Sequence, residues 1–204
     1  MTDALDRLDV SRETHDRLLR LQGLLAKWNP AINLVSKSTV ASAWDRHILD
    51  SAQLFPLMPA GAGHWVDLGS GGGFPGLVIA VLAAELAVDL RVSLVEADQR
   101  KATFLREAAR SLGVQPQIYA ERIEKAPPMG ANVLSARALA ALPHLCFFAQ
   151  RHLSPRGVAL FPKGASWRDE VAEAGRDWRF DLTVHPSETE SAAVILELKA
   201  ISHV

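Results

Sequence analysis

The stretch that most limits what this chain can fold into is Trp65-Val66-Asp67-Leu68, followed by Gly69-Ser70-Gly71-Gly72-Gly73-Phe74-Pro75-Gly76. The first four residues read as a short buried strand. Five glycines within eight positions then let the backbone turn tightly and approach a ligand without a Cβ in the way. Pro75 suits the first turn of a helix, where its missing N–H is no loss. The apolar run Leu77 to Ala84 continues that helix. The unpaired N–H groups at its start, with the positive end of its dipole, favour a polar or anionic ligand group. A strand, glycine loop and helix of this kind is built to hold a nucleotide-like cofactor.

The residues around the loop narrow the choice of cofactor. Gly71-x-Gly73-x-x-Gly76 matches the dinucleotide fingerprint, a weak signal by itself. No Gly-Lys-Ser/Thr follows, which excludes a P-loop. Asp67 stands two residues before the first glycine, at the C-terminal end of its strand, where open α/β sheets bind ligands. A carboxylate there suits a cationic amino-acid moiety and repels a pyrophosphate. The Asp-x-Gly-x-Gly-x-Gly pattern resembles motif I of the S-adenosylmethionine (SAM) methyltransferases. The bland alternative makes Asp67 a helix cap. Glu96, 27 positions after Gly69, ends a second apolar strand. An acid there holds ribose hydroxyls in dinucleotide and SAM sites alike.

A chain of 204 residues is long enough to bury roughly 70% of its unfolded surface. With 22 basic and 23 acidic residues its formal charge is -1, so any nucleic-acid footprint must be local. Cys146 is the only cysteine, which excludes an internal disulfide and suits a reducing cytosol. The N-terminus carries acids and no apolar signal core, and the longest apolar run is too short to span a bilayer. A soluble cytoplasmic monomer is expected.

Along the chain, residues 1–10 read as a loose arm. Leu18, Leu21, Leu24 and Leu25 recur at helix spacing after Ser11, and Trp28-Asn29-Pro30 is expected to end that helix. A second helix is expected from Thr39 to Phe55. Pro56 to Gly63 is a linker, dividing an N-terminal helical extension (1–60) from a cofactor domain (61–204) that forms one unit with it. Strands are expected at 64–68, 91–96, 117–120, 132–136 and 157–161, alternating with helices at 75–87, 98–112, 141–153 and 167–177. This alternation implies a mainly parallel sheet. A closing hairpin, 180–185 and 192–200, completes seven strands. The pattern fits the α/β, Rossmann-like class I SAM-dependent methyltransferase fold, with an antiparallel last strand.

Arg137 and Lys163-Gly164 end two strands at the ligand edge, as cations that meet RNA or pair with Asp67, Glu96 or Glu124. Arg46-His47 and Asp50 invite a metal or dyad reading, but no Cys partner or His-x-x-x-His accompanies them, and no metal is expected. The Asn/Asp-Pro-Pro-Tyr/Phe motif that holds the amino group in exocyclic-amine methyltransferases is missing after the fourth strand. That points to another nucleophile.

Together these residues resemble the bacterial 16S ribosomal RNA guanine-N7 methyltransferases, the RsmG/GidB family. The resemblance rests on Trp28-Asn29, Ile32-Asn33-Leu34, Arg46-His47-Ile48-Leu49-Asp50-Ser51 and the Gly-Phe-Pro-Gly form of the loop. It continues through Glu96, Lys101, Arg122-Ile123-Glu124, Ser135-Ala136-Arg137-Ala138 and Pro162-Lys163-Gly164. It implies transfer of the SAM methyl group to N7 of the guanine at nucleotide 527, in the 530 loop of 16S rRNA, free or in the small ribosomal subunit. It also implies a cofactor held at Gly69, Phe74, Ile123, Glu124 and Arg137, beside the Asp67, Gly71, Gly73 and Glu96 read from the loop itself. N7 carries an in-plane lone pair, so no general base is needed. His47, Asp50, Arg137 and Lys163 are expected on the substrate side. Two other classes fit parts of the pattern: an NAD(P)-dependent oxidoreductase and a non-enzymatic RNA-binding module.

Overall fold

The computed structural model describes residues 4–204. The first helix, α1 (Ala4–Leu8), buries Ala4 and Leu5. The described part of the expected loose arm is therefore a docked turn of helix, because the Ala4 and Leu5 side chains find a place in the core. Helix α2 (Arg12–Ile32) starts where Ser11 Oγ accepts from the Thr14 amide, and it buries Leu18, Leu21 and Leu25. It runs through Pro30 rather than ending before it. Proline there removes a single amide donor from the last turn. The turn closes around Asn29, whose carbonyl accepts from Asn33 N–H and whose Oδ1 accepts from Val35 N–H at 2.8 Å.

The single helix expected over Thr39–Phe55 is instead broken into short pieces. A 3-10 turn (Lys37–Thr39) is followed by a π-helical turn (Trp44–Leu49), by α3 (Asp50–Ala52) and by a second 3-10 turn (Phe55–Leu57). The wide turn has a visible cause. Asp50 N–H reaches back to the Asp45 carbonyl, which leaves the Arg46 carbonyl free to accept from the Arg137 guanidinium at 2.9 Å. Single π turns of this kind recur at functional sites.

From residue 64 the strands and helices alternate as the sequence pattern implies: β1 (His64–Leu68), α4 (Gly76–Leu86), β2 (Arg91–Val95), α5 (Gln99–Leu112), β3 (Gln117–Tyr119), β4 (Ala131–Ala136), α6 (Leu142–His152), β5 (Leu153–Lys163), α7 (Trp167–Asp177), β6 (Trp178–Pro186) and β7 (Val194–His203). Asp98 caps α5 through the Arg100 and Lys101 amides, and Gly113 ends it in a left-handed turn. The seven strands lie in the order β3-β2-β1-β4-β5-β7-β6. β1 runs parallel to both β2 and β4, and β7 is antiparallel to both neighbours. The strand order reverses between β1 and β4, and open α/β sheets bind ligands at such a point.

Alternation along β1 divides the core. Trp65 packs on one face of the sheet with α2, α4 and α5, whereas Val66 and Leu68 pack on the other with α6 and α7. The N-terminal helices belong to the first of these cores, α2 lying against α4 and α5 and Trp28 meeting Phe104 edge-on at 5.7 Å. Among the described residues no helix is long and apolar enough to cross a membrane. Because Leu21 is fully buried in that shared core, Leu21→Ala should cost about 2–5 kcal/mol. Urea unfolding followed by fluorescence and circular dichroism checks it. A single coincident transition is expected, whereas two would show that the N-terminal helices melt separately.

Candidate cofactor and substrate site

The glycine loop is fastened from two sides. The amides of Gly69 and Ser70 donate to the Val95 carbonyl at the end of β2. The Gly71 amide donates to Glu96 Oε2 at 2.8 Å, and Glu96 Oε1 accepts from Asp98 N–H at 2.8 Å. Gly71 has φ +53°, and a Cβ there would meet only the Gly69 carbonyl, at 3.7 Å. The loop thus keeps open space above its backbone. Gly76 is the opposite case: a Cβ would fall 2.2 Å from Leu94 Cδ2 and 2.7 Å from Asp67 Oδ2. α4 can start this close to β1 only without a side chain. The Phe74-Pro75 peptide is cis.

Asp67 does not face the crevice as expected from its place in the sequence. Its side chain is fully buried. Oδ2 accepts from the Gly76 amide at 3.2 Å and Oδ1 from Ser135 Oγ at 2.7 Å, and Ser135 Oγ in turn accepts from Trp65 Nε1 at 2.9 Å. The carboxylate therefore joins β1, β4 and the start of α4 from beneath the loop, the helix-cap role rather than contact with an amino-acid moiety. Burial pushes its carboxyl up to about 6, against the hydrogen bonds from Ser135, Ser70 and Gly76.

Beside the loop lies a cavity of about 770 Å³, within the size range of small-molecule sites. Gly69, Gly71 and Phe74 line it, together with His47, Asp50, Lys101, Arg137 and Lys163. Arg137, at the end of β4, donates to Asp50 Oδ2 at 3.2 Å and sits 5.4 Å from the Phe74 ring centroid. His47 stacks on Phe74 with centroids 5.1 Å apart, and its Nε2 lies 2.9 Å from Thr39 Oγ1. Its buried Nδ1 has no partner among the described residues. Burial, then the Arg137 and Arg46 charges, pull His47 down to about 4, so the ring is neutral at physiological pH. Lys163 Nζ donates to Glu170 Oε2 at 2.7 Å and to the Ala140 carbonyl at 3.0 Å. A third pair, Arg46 with Glu190 at 2.6 Å, stands at the rim. Asp50 Oδ1 also accepts from Gln53 Nε2 and Thr189 Oγ1, both at 2.9 Å.

The structure thus gathers His47, Asp50, Arg137 and Lys163 with Gly69, Gly71 and Phe74. The other expected residues lie outside the cavity lining. Gly73, at φ +89°, turns toward Leu77. Glu96 lies under Gly71 as described. Ile123 is packed into the second core, its carbonyl accepting from His152 Nε2 at 3.1 Å. Glu124 is exposed in the turn after β3. Glu96, Ile123 and Glu124 all follow the ends of β2 and β3, on the flank away from β4 and β5. Sequence reasoning passed over Glu170, Gln53 and Thr189, and named Ser135 only within the motif that ends β4, without a role. Glu170 had one readable signal, an acid in the first turn of a helix just beyond Lys163-Gly164.

The strand order and the fastened glycine loop define the class: this is a SAM-dependent methyltransferase fold. Among solved structures, a ribosomal protein L11 methylase from Lactobacillus delbrueckii subsp. bulgaricus has this fold at TM-score 0.60, with 15% identity and 78% of each chain covered. The chain belongs to the rRNA small subunit methyltransferase G (GidB) family, whose model matches residues 14–195. Ribosomal RNA small subunit methyltransferase G of Cereibacter sphaeroides is 53% identical over 199 residues, 98% of this chain and 96% of that protein. The protein of the same name from Ruegeria pomeroyi is 50% identical over 204 residues, the whole of both chains. The protein is an enzyme and SAM is its methyl donor, which sets aside the oxidoreductase and the non-enzymatic RNA-binding readings.

Two buried groups set opposite pH trends. Asp67 is protonated more readily in the folded chain than in the unfolded one, so it makes stability fall as pH rises from about 4 to about 6. His47 is protonated less readily when folded, so it makes stability fall as pH drops from 6.5 toward about 4. In urea-unfolding free energies across this range, Asp67→Asn should gain on the order of 2–3 kcal/mol on the parent between the acid end and neutrality. An unchanged difference between parent and variant at every pH would remove the buried-carboxylate assignment.

Proposed function

We propose that this protein methylates N7 of the guanine at nucleotide 527, in the 530 loop of 16S rRNA, by direct in-line transfer from SAM, acting as a cytoplasmic monomer on the RNA or the small subunit. The observation that carries the reading is the end of β4. Where an amine-specific enzyme needs a motif for the exocyclic nitrogen, this chain has Ser135-Ala136-Arg137, with Arg137 held by Asp50 and by the Arg46 carbonyl. Among the described residues at the end of β4, no side chain is free to remove a proton. His47 is a weak base, drawn down to about 4, and Asp50 is engaged by Arg137, Gln53 and Thr189. The buried Cys146 thiol is pushed up to about 12, too high for a nucleophile. Guanine N7 needs no such group.

The open space above Gly71 fits the cofactor, which the loop backbone, Phe74 and Arg137 would hold. When bound, SAM supplies an electrophilic methyl group. Phe74 and His47 form an uncharged wall, and three ion pairs fix Arg137, Lys163 and Arg46 around it. Catalysis here is alignment of N7 with the methyl carbon, together with tolerance of positive charge on the purine. In the reaction the N7 lone pair forms the new bond to carbon and the carbon–sulfur pair leaves with sulfur. No proton is lost.

Labelled SAM with 16S rRNA or small subunits, followed by mapping of the modified base, tests the site. Replacing the target guanine with 7-deazaguanine should abolish methyl transfer while RNA binding persists. Continued methylation of the deaza RNA at that nucleotide would assign the acceptor to another atom. The rate with natural RNA should also lack a general-base limb across neutral pH.

A further inference from the structure

Among the described residues three carboxylates line the cavity, Asp50, Glu170 and Glu190, and one of them is largely enclosed yet keeps an oxygen that the protein leaves unused. Both Asp50 oxygens are occupied, Oδ2 by Arg137 and Oδ1 by Gln53 and Thr189. Glu190 is a rim residue, 45% exposed and paired with Arg46. Glu170 differs from both. Its Oε2 takes two donors, Lys163 Nζ at 2.7 Å and the Leu142 amide at 3.0 Å, which pin the side chain between β5 and α6. Its Oε1 has no hydrogen-bond partner among the described residues, although the side chain is only 22% exposed. A carboxylate with one oxygen fixed and the other open to a ligand-sized cavity is a preformed receptor for N–H donors.

Purine chemistry supplies the matching donors. If N7 faces the methyl donor above the glycine loop, the N1–H and N2–H₂ donors of guanine lie on the far side of the ring system, away from the loop. We propose that Glu170 reads that Watson–Crick edge, its Oε1 accepting from guanine N2–H₂ and N1–H, and so sets the guanine specificity of the enzyme. The inference rests on the N7 reading above. Adenine presents a lone pair at N1 and nothing at C2, so the same carboxylate repels it. The contact also strengthens as the reaction proceeds. Forming the N7–carbon bond moves the positive charge from sulfur to the purine, which makes N1–H and N2–H₂ better donors while both protons stay in place. An interaction that is stronger in the transition state raises kcat and not only affinity. Lys163, held against Glu170 and Ala140, is then a positioning residue for the carboxylate rather than an RNA-phosphate contact.

The test uses the full-length protein, labelled SAM and 16S rRNA ligated to carry guanine, inosine or 7-deazaguanine at the target nucleotide. Inosine keeps N7, O6 and N1–H and lacks only the N2 amino group. The parent should methylate the guanine RNA about tenfold or more faster than the inosine RNA, the value of one charge-assisted hydrogen bond. Glu170→Gln should slow guanine methylation about tenfold to a hundredfold, bind SAM as the parent does, and treat guanine and inosine nearly alike. A parent indifferent to inosine, or a Glu170→Gln protein that keeps the parent's preference, overturns the proposal. Should Glu170→Gln fail to fold, Glu170→Asp, which keeps the charge and withdraws it by one methylene, must show the same loss of preference. The deaza RNA separates the two readings. Its methylation by the parent would remove the N7 assignment, whereas a parent that methylates guanine and inosine RNA alike but leaves the deaza RNA inert would remove only the role of Glu170.

Discussion

The structure depends on one buried carboxylate. Asp67 is fully enclosed, a placement that is unfavourable unless its oxygens are satisfied. They are satisfied by donors from two other elements, the Gly76 amide that opens α4 and the Ser135 hydroxyl on β4. This fixes the height of α4 over the sheet, and with it the path of the glycine loop between them. It also fixes β4 two residues before Arg137. The same atoms therefore set the cofactor side and the substrate side of the cavity. The absence of a Cβ at Gly76 is part of this arrangement, since an alanine methyl would lie 2.7 Å from Asp67 Oδ2.

From that base the cavity is built by pairing charges rather than by accumulating one sign. Arg137 is matched by Asp50, Lys163 by Glu170 and Arg46 by Glu190. With Lys101 as a fourth cation beside these three pairs, the described lining stays, like the sequence, within one charge of neutral. Such a cavity does not attract RNA chiefly by its field. It holds a few donors and acceptors in fixed directions, which suits an enzyme that must choose one base and present one nitrogen. A neutral His47 stacked on Phe74 keeps the centre uncharged, where positive charge has to move from the cofactor to the purine.

The wall opposite the glycine loop comes from two distant parts of the chain. The loop between β6 and β7 bonds to the N-terminal segment through Thr189 to Asp50, Gln53 to the Glu188 amide at 2.9 Å, and Arg46 to Glu190. Arg7 reaches the same loop at Glu188. Asp50 is shared between this seam and Arg137, so the N-terminal segment, the closing hairpin and the end of β4 are held by one side chain. The π turn over Trp44–Leu49 serves this junction, because it frees the Arg46 carbonyl that Arg137 uses.

The sequence by itself determined the repeating parts of the protein. Strand and helix alternation from residue 64 follows from local periodicity and turn chemistry, so β1, α4, α5 with its Asp98 cap and Gly113 stop, α7 and the closing hairpin stand close to where the pattern puts them. Pattern and motif also identified Gly69, Gly71, Phe74, His47, Asp50, Arg137 and Lys163 as residues worth watching. Only the tertiary structure decided what each of them faces. Asp67 looked like a ligand contact and is buried, because a strand-end carboxylate can turn toward a helix start as readily as toward a crevice. Pro30 does not end its helix, since Asn29 closes the turn with contacts to Asn33 and Val35. The residues from Thr39 to Phe55 are no regular helix, since the Arg46 carbonyl is claimed from 91 positions away. Glu170 gains meaning only beside Lys163 and Leu142. Local preferences are encoded within a few residues of one another, whereas the partner of a buried charge is set by which elements the fold brings together.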